Sequence, residues 1–292
     1  MMVLEIFSKV LPLIFLGVLL ANIMCHLNIL YKLQKYIKNK YFPILAVYFV
    51  SSTSGHFLLN NLCDKGELSK ENLMPLYFLG MFSFGIHIIL FFAIPMATSL
   101  GLYVGGLYVL IKFLVTCMYL LFGILMLRKN NTQINVDFNF KSGGIKAIIR
   151  DTLKQYARVL MSFVPSVLII TYLIEHGLLE IVENLADSVL DALGLPSTVL
   201  IIMLTGLATI SGAIGIASGL LSGNVLTPNE ILFSLLVAEF LNKITIYLRK
   251  NLPLQLSIFG KIGIKLATLH LLIYEIPLLI VIVVWYLVFI RG

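Results

Sequence analysis

Residues 204–224 read LTGLATISGAIGIASGLLSGN, and this stretch limits the fold more than any other. It is apolar enough to enter a bilayer. Yet it carries Thr205, Thr209, Ser211, Ser218, Ser222 and Asn224 among glycines at 206, 212, 215, 219 and 223. Each glycine weakens a helix by about 1 kcal/mol relative to alanine, so a plain lipid-facing helix has no use for so many. In hydrocarbon, broken backbone survives only where protein or a watery cavity satisfies its polar groups. Gly-interrupted segments in corresponding places of two half-chains point to the binding site of a transporter. A second segment of this kind lies at 50–61, VSSTSGHFLLNN.

The remainder of the chain also points to a bilayer. Of its 292 residues 60% are hydrophobic and 12% charged, against about 25% charged in soluble proteins. Apolar runs of about 20 residues, the length of one span, recur throughout. The reading is an all-α polytopic protein of the cell membrane. Net charge is +7, spread along loops and without a nucleic-acid-binding motif. It is read as the positive-inside bias of cytoplasmic loops. The lipid bilayer is an expected partner, a nucleic acid is not, and a homo-oligomer is a further expectation. Cys25, Cys63 and Cys117 stand alone, with no CxxC, and read as small hydrophobes rather than a disulfide or zinc framework. The N-terminal run has an early acid and no small-residue cleavage site, so it reads as a retained helix.

Eight apolar segments succeed one another: about 10–30, 41–62, 73–94, 99–127, 159–174, 197–224, 230–248 and 256–290. The last is too long for one straight span and is expected to kink near Pro277. Residues 128–158 form a basic linker with Arg128, Lys129, Lys141, Lys146, Arg150, Lys154 and Arg158 against Asp137 and Asp151. Within it GGIKAIIRDTLKQYARVL has the pattern of an amphipathic surface helix. The acids Glu180, Glu183, Asp187 and Asp191 recur at helical spacing and predict a surface helix. The domains are thus a first membrane repeat at 1–127, the cytoplasmic linker at 128–158 and a second repeat at 159–292.

The repeat rests on the order of polar features. Ser54-Gly55 aligns with Ser211-Gly212, the loop 66–73 aligns with 223–232, and Leu68 to Pro95 equals Leu226 to Pro253 in length. Charge then sets topology. If every segment crossed, the basic loop 31–40 and the basic linker would lie on opposite sides, against the Lys/Arg bias. If the two Ser/Gly segments are re-entrant, both basic regions are cytoplasmic. Each half then has three crossing helices and one re-entrant hairpin, and the second half is inverted. Six crossings put both termini outside. Cysteines at positions 38 and 146 that label from opposite faces would refute this topology.

Residues 209–266, TISGAIGIASGLLSGNVLTPNEILFSLLVAEFLNKITIYLRKNLPLQLSIFGKIGIKL, resemble the nucleoside-recognition or Gate family. The resemblance rests on a small-residue segment, a loop glycine (Gly223), Pro228, a basic residue before a Leu-Pro turn (Arg249, Leu252, Pro253) and Gly260. It covers the second half best. This family is similar to the membrane cores of ferrous-iron uptake proteins and concentrative nucleoside transporters. The resemblance implies a transporter-like core with paired hairpins, and it fixes no substrate. No GxxxxGK[ST] is present, so the GTPase part of the iron transporters is absent from the sequence, and no cysteine in 209–266 offers a soft ligand.

Candidate site residues emerge from cost. Glu239 and Lys243 share one helix face at i,i+4, and ionisable groups inside a membrane face cavities and pair. They could couple transport to a proton or cation, with Asn242 beside them. Equally, the pair could only order its helix, with Lys243 snorkelling. Glu275 is a third coupling candidate, deep in the last run. Ser52, Ser54 and Asn60 from one hairpin, and Thr209, Ser211, Ser218 and Asn224 from the other, could bind a polar solute; close helix packing through small residues is the alternative. His56, His87 and His270 read more readily as packing residues than as ligands. Lys112 reads as snorkelling or paired. The five histidines form neither HxxxH nor HExxH, so no metal site or cofactor is expected. No GxSxG or triad spacing supports an intramembrane hydrolase. The expected function is a non-enzymatic secondary transporter or permease for a small polar solute, nucleoside-like or cation-coupled. The alternative is a scaffold or regulatory subunit that keeps the fold without transport.

Overall fold

The structure is a computed structural model that describes residues 42–94, 98–130, 144–173, 195–196 and 198–291, with isolated positions between 11 and 23. The basic run 31–40, Cys25, the acids Glu180 to Asp191 and most of the first apolar segment lie outside the described residues. The described chain is helical, and no strand occurs among the described residues.

Numbered over these residues, the helices are α1 (Phe42–Val50), α2 (Ser52–Asp64), α3 (Lys70–Ile88), α4 (Gly101–Asn130), α5 (Ile145–Leu173), α6 (Thr198–Ala208), α7 (Ile210–Ser222), α8 (Pro228–Ile246), α9 (Leu252–Phe259) and α10 (Lys261–Trp285). Wide π-turns extend α3 over Ile89–Ala93, join α8 to α9 over Tyr247–Asn251, and extend α10 over Tyr286–Ile290. Among the described residues, four apolar helical stretches are long enough to cross a membrane: Lys70–Ala93, Thr98–Arg128, Pro228–Phe259 and Lys261–Ile290. At 1.5 Å per residue, α4 alone spans about 45 Å, more than the hydrocarbon core of about 30 Å. Leu102, Leu114 and Leu121 on α4, and Ile276, Ile280 and Val284 on α10, are exposed. Apolar faces of that extent are excluded from water-soluble surfaces.

Both Ser/Gly segments are broken helices. Ser51 separates α1 from α2 with φ −158° and ψ 118°, and Thr209 separates α6 from α7 with φ −160° and ψ 127°. One extended residue interrupts the helical ladder and frees amides at the start of the next helix. Ser51 answers locally, its hydroxyl accepting from the Ser54 amide at 3.2 Å. The two short helices of each pair pack on one another.

Element lengths recur along the chain. α2 and α7 have 13 residues each and α3 and α8 have 19. The breaks, both helix pairs and the π-turns after them are all offset by 158 residues (51 to 209, 52 to 210, 70 to 228, 89 to 247). Gly66 and Asn224, also 158 apart, share a left-handed backbone. This register differs by one from the alignment of Ser54 with Ser211. It sets Ser51 against Thr209, the break residues, and Ser54 against Gly212.

Two boundaries differ from the sequence reading. The amphipathic stretch and the fifth apolar segment form the single helix α5, which continues past residue 158. Ile148 and Thr152 face inward while Lys146, Arg150 and Lys154 are exposed. The last apolar run is interrupted at Gly260 (φ +62°), and helix continues through Pro277. The turn is tight enough that a Cβ on Gly263 would strike the backbone of Gln255. Only glycine fits there, so the break falls at that turn.

The chain forms two compact units, each drawing on both halves of the sequence. Unit 1 comprises residues 1–87, 116–167 and 252–268, and unit 2 comprises 88–115, 168–251 and 269–292. In unit 1 the Tyr48 ring fills the space over Gly55 and Gly80, where any Cβ would collide with it. His56 stacks on Tyr77 at 5.1 Å and meets Tyr48 and Phe259 edge-on. Gln255 of α9 donates to the Tyr77 hydroxyl. In unit 2 Gly206 of α6 lies against Ala238 of α8, again with no room for a Cβ.

Candidate functional site

The site in unit 2 starts from the cap of α8. Thr227 and Glu230 form a reciprocal capping box that fixes the first turn. Three turns on, Ala238 seats α8 on Gly206, and the next residue, Glu239, is carried into the core with only 3% of its surface exposed. α6 stops at Ala208, so its last carbonyls lack intrahelical donors. Asn242 supplies one, its Nδ2 donating to the Gly206 carbonyl at 2.7 Å. The predicted binding residue Asn242 therefore ties α8 to the broken helix.

Glu239 accepts from three side chains. Lys112 Nζ and the Tyr108 hydroxyl each donate to Oε2 at 2.8 Å, and the Tyr274 hydroxyl donates to Oε1 at 3.1 Å. Tyr108 and Lys112 stand at i,i+4 on α4, so one helix face presents both donors. A buried carboxylate held by a cation and two hydroxyls is well compensated for leaving water. The ion pair of Glu239 is thus with Lys112 on another helix. Lys243, one turn along α8, sets its ammonium 4.4 Å from the centre of the Tyr274 ring, a cation–π contact. Glu275 comes directly after Tyr274 on α10 and is 6% exposed. Neither of its carboxyl oxygens has a hydrogen-bond partner among the described residues.

The three expected coupling residues Glu239, Lys243 and Glu275 therefore share one core, joined through Tyr274. Sequence reasoning missed Tyr108 and Tyr274 and left Lys112 without a partner. The available signal was a lysine in mid-helix with a tyrosine one turn before it.

The hydroxyl set is less unified. Ser218 is half-buried and donates to the Ser99 carbonyl at 2.8 Å, while Thr209, Ser211 and Asn224 are exposed. These belong to unit 2. Ser52, Ser54 and Asn60 belong to unit 1. Ser52 is half-buried. Ser54 is fully buried, its hydroxyl unpartnered among the described residues. Asn60 donates to Asp64 at 3.1 Å at the edge of a polar cleft of about 30 Å³ lined also by Asn61, Gln155 and Ser257, room for about one water. His56 and His87 sit among aromatic rings. No group of three or more metal-ligating side chains occurs among the described residues.

Among the described residues, four long apolar helices and a compensated ionic cluster in one of the cores mark a helical membrane protein. Its relatives agree in extent. Over 240 residues the chain is 72% identical to "Uncharacterized protein MJ1589" of Methanocaldococcus jannaschii, covering 82% of this chain and all of that protein. The chain belongs to the family of that protein. It is also similar to "Uncharacterized protein MJ0880" of the same organism, at 24% identity over 92% of this chain and 93% of the relative. A third relative there, "Uncharacterized protein MJ0871", is 25% identical over 76% of this chain and 72% of its own. No family model matches the chain, and no solved structure matches it.

Proposed function

We propose that the protein is a multi-pass secondary transporter or permease for a small polar solute in the cell membrane. The observation that carries this reading is the Glu239 cluster, an ionic core seated beside a helix broken inside an apolar segment. Intramembrane charge is costly and is retained where it lines a solute or ion path, and broken helices supply free backbone groups to such a site. The 158-residue recurrence of breaks, helices and π-turns supports two repeats. The distribution of Lys and Arg supports their inversion, with three crossings and one re-entrant hairpin in each. The likeness of 209–266 to the Gate family makes nucleosides the first solutes to try.

Uptake into proteoliposomes tests the reading. The expected outcome is saturable flux of one solute class among nucleosides, nucleobases and small organic anions, reduced by Glu239→Gln and altered by Ser211→Ala while both variants still fold. No flux for any of them, together with a stable co-purifying protein, would favour a non-transporting scaffold.

A further inference from the structure

The four charged groups of the unit 2 core are not equivalent. Glu239 is fully engaged: three donors on two other helices hold its two oxygens. Glu275 is also buried, yet neither of its oxygens is engaged among the described residues. Hydrogen bonds and a partner charge offset the desolvation of a carboxylate; Glu239 has both and Glu275 lacks the first. The charges that act on Glu275 come from Lys243 and Glu239 on α8. Lys112 and Tyr108 on α4 are turned to Glu239, as is the Tyr274 hydroxyl on its own helix. His270, a further titratable group of α10, is also buried.

We propose that Glu275 is the proton-carrying group of the transport cycle, with Glu239 a fixed anchor, an inference that rests on the transport reading above. The step is a simple one. The Glu275 carboxylate takes a proton from water on one side, becoming a neutral carboxylic acid, and returns it to water on the other. Charge bookkeeping links this to the solute. With Glu275 ionised, Lys112, Lys243, Glu239 and Glu275 sum to zero. With Glu275 protonated they sum to +1, and the excess falls on Lys243, the cation not paired with Glu239. A protonated core therefore suits a solute bearing negative charge near Lys243. A metal ion fits less well, since it needs several oxygen ligands and no cluster of ligating side chains surrounds Glu275 among the described residues.

Infrared pH-difference spectra of the full-length protein in lipid test the assignment without any solute. The carboxylic-acid C=O band of Glu275 is expected to appear on acidification in the wild type and in Glu239→Gln, and to be lost in Glu275→Gln. If Glu275→Gln fails to fold, Glu275→Asp keeps the carboxyl in a new place and must move the band. A band retained in Glu275→Gln, unmoved in Glu275→Asp, or absent from the wild type at every pH where it stays folded would overturn the proposal. Because no solute is needed, the band can be missing while flux persists, or present where no solute moves. Failure here and failure of the transport reading are therefore separate results.

Discussion

Tyr48 and Gly206 occupy the same place in the two broken segments, three residues before the break. In unit 1 the large residue is on the short helix and the glycine, Gly80, is on the long one. In unit 2 both partners, Gly206 and Ala238, are small. The next residue along the long helix differs too. Met81 comes after Gly80, while Glu239 comes after Ala238. Unit 1 thus buries an aromatic stack, Tyr48 with His56, Tyr77 and Phe259. Unit 2 buries an ion pair with its hydroxyl donors. One helical plan can therefore be filled either for packing or for charge, and the charged filling marks the unit expected to do the work.

The largest effect should come from Lys112→Met. It strands Glu239 in the core, and breaking a buried pair from one side costs about 3–5 kcal/mol. Denaturant or thermal unfolding in detergent reads this directly. Adding Glu239→Gln to Lys112→Met should restore a large part of the loss, because no charge is then left unpaired. Next in size, Tyr77→Phe removes the acceptor of the buried Gln255 amide and should cost about 1–3 kcal/mol, comparable to Gly80→Ala. The methyl of Gly80→Ala enters the Tyr48 ring, and overpacking of this kind costs about 1–3 kcal/mol. At the corresponding place in unit 2, Ala238→Gly only removes a methyl from a helix and should cost about 1 kcal/mol. If the two changes proved equal in the same unfolding assay, the cores would not differ in the way described.

Much of this was legible in the sequence because bilayers leave few options. Glycine and hydroxyl residues inside apolar runs located both breaks, and the equal spacing from Leu68 to Pro95 and from Leu226 to Pro253 has the same 158-residue offset as the helix boundaries. The hydroxyl alignment slipped by one because Ser54 and Ser211 look alike as letters, whereas the backbone equates the residues that break, Ser51 and Thr209. The last apolar run is broken at Gly260, where a left-handed residue ends one helix before the next begins, and Pro277 lies within α10. The partner of Glu239 was not legible. Local spacing offered Lys243 at i,i+4, and only tertiary packing brings Lys112, 127 residues away in sequence, to 2.8 Å.

The most direct test asks whether the charged core binds the proposed solute. Purified wild-type protein would be screened by thermal shift against nucleosides, nucleobases and small organic anions, since a ligand that binds the folded state raises the midpoint with concentration. The same screen would then be run on Glu239→Gln and on His56→Phe. The expected result is a shift that disappears in Glu239→Gln and survives in His56→Phe. A shift that survives in Glu239→Gln and disappears in His56→Phe would contradict it and move the site to the aromatic core of unit 1.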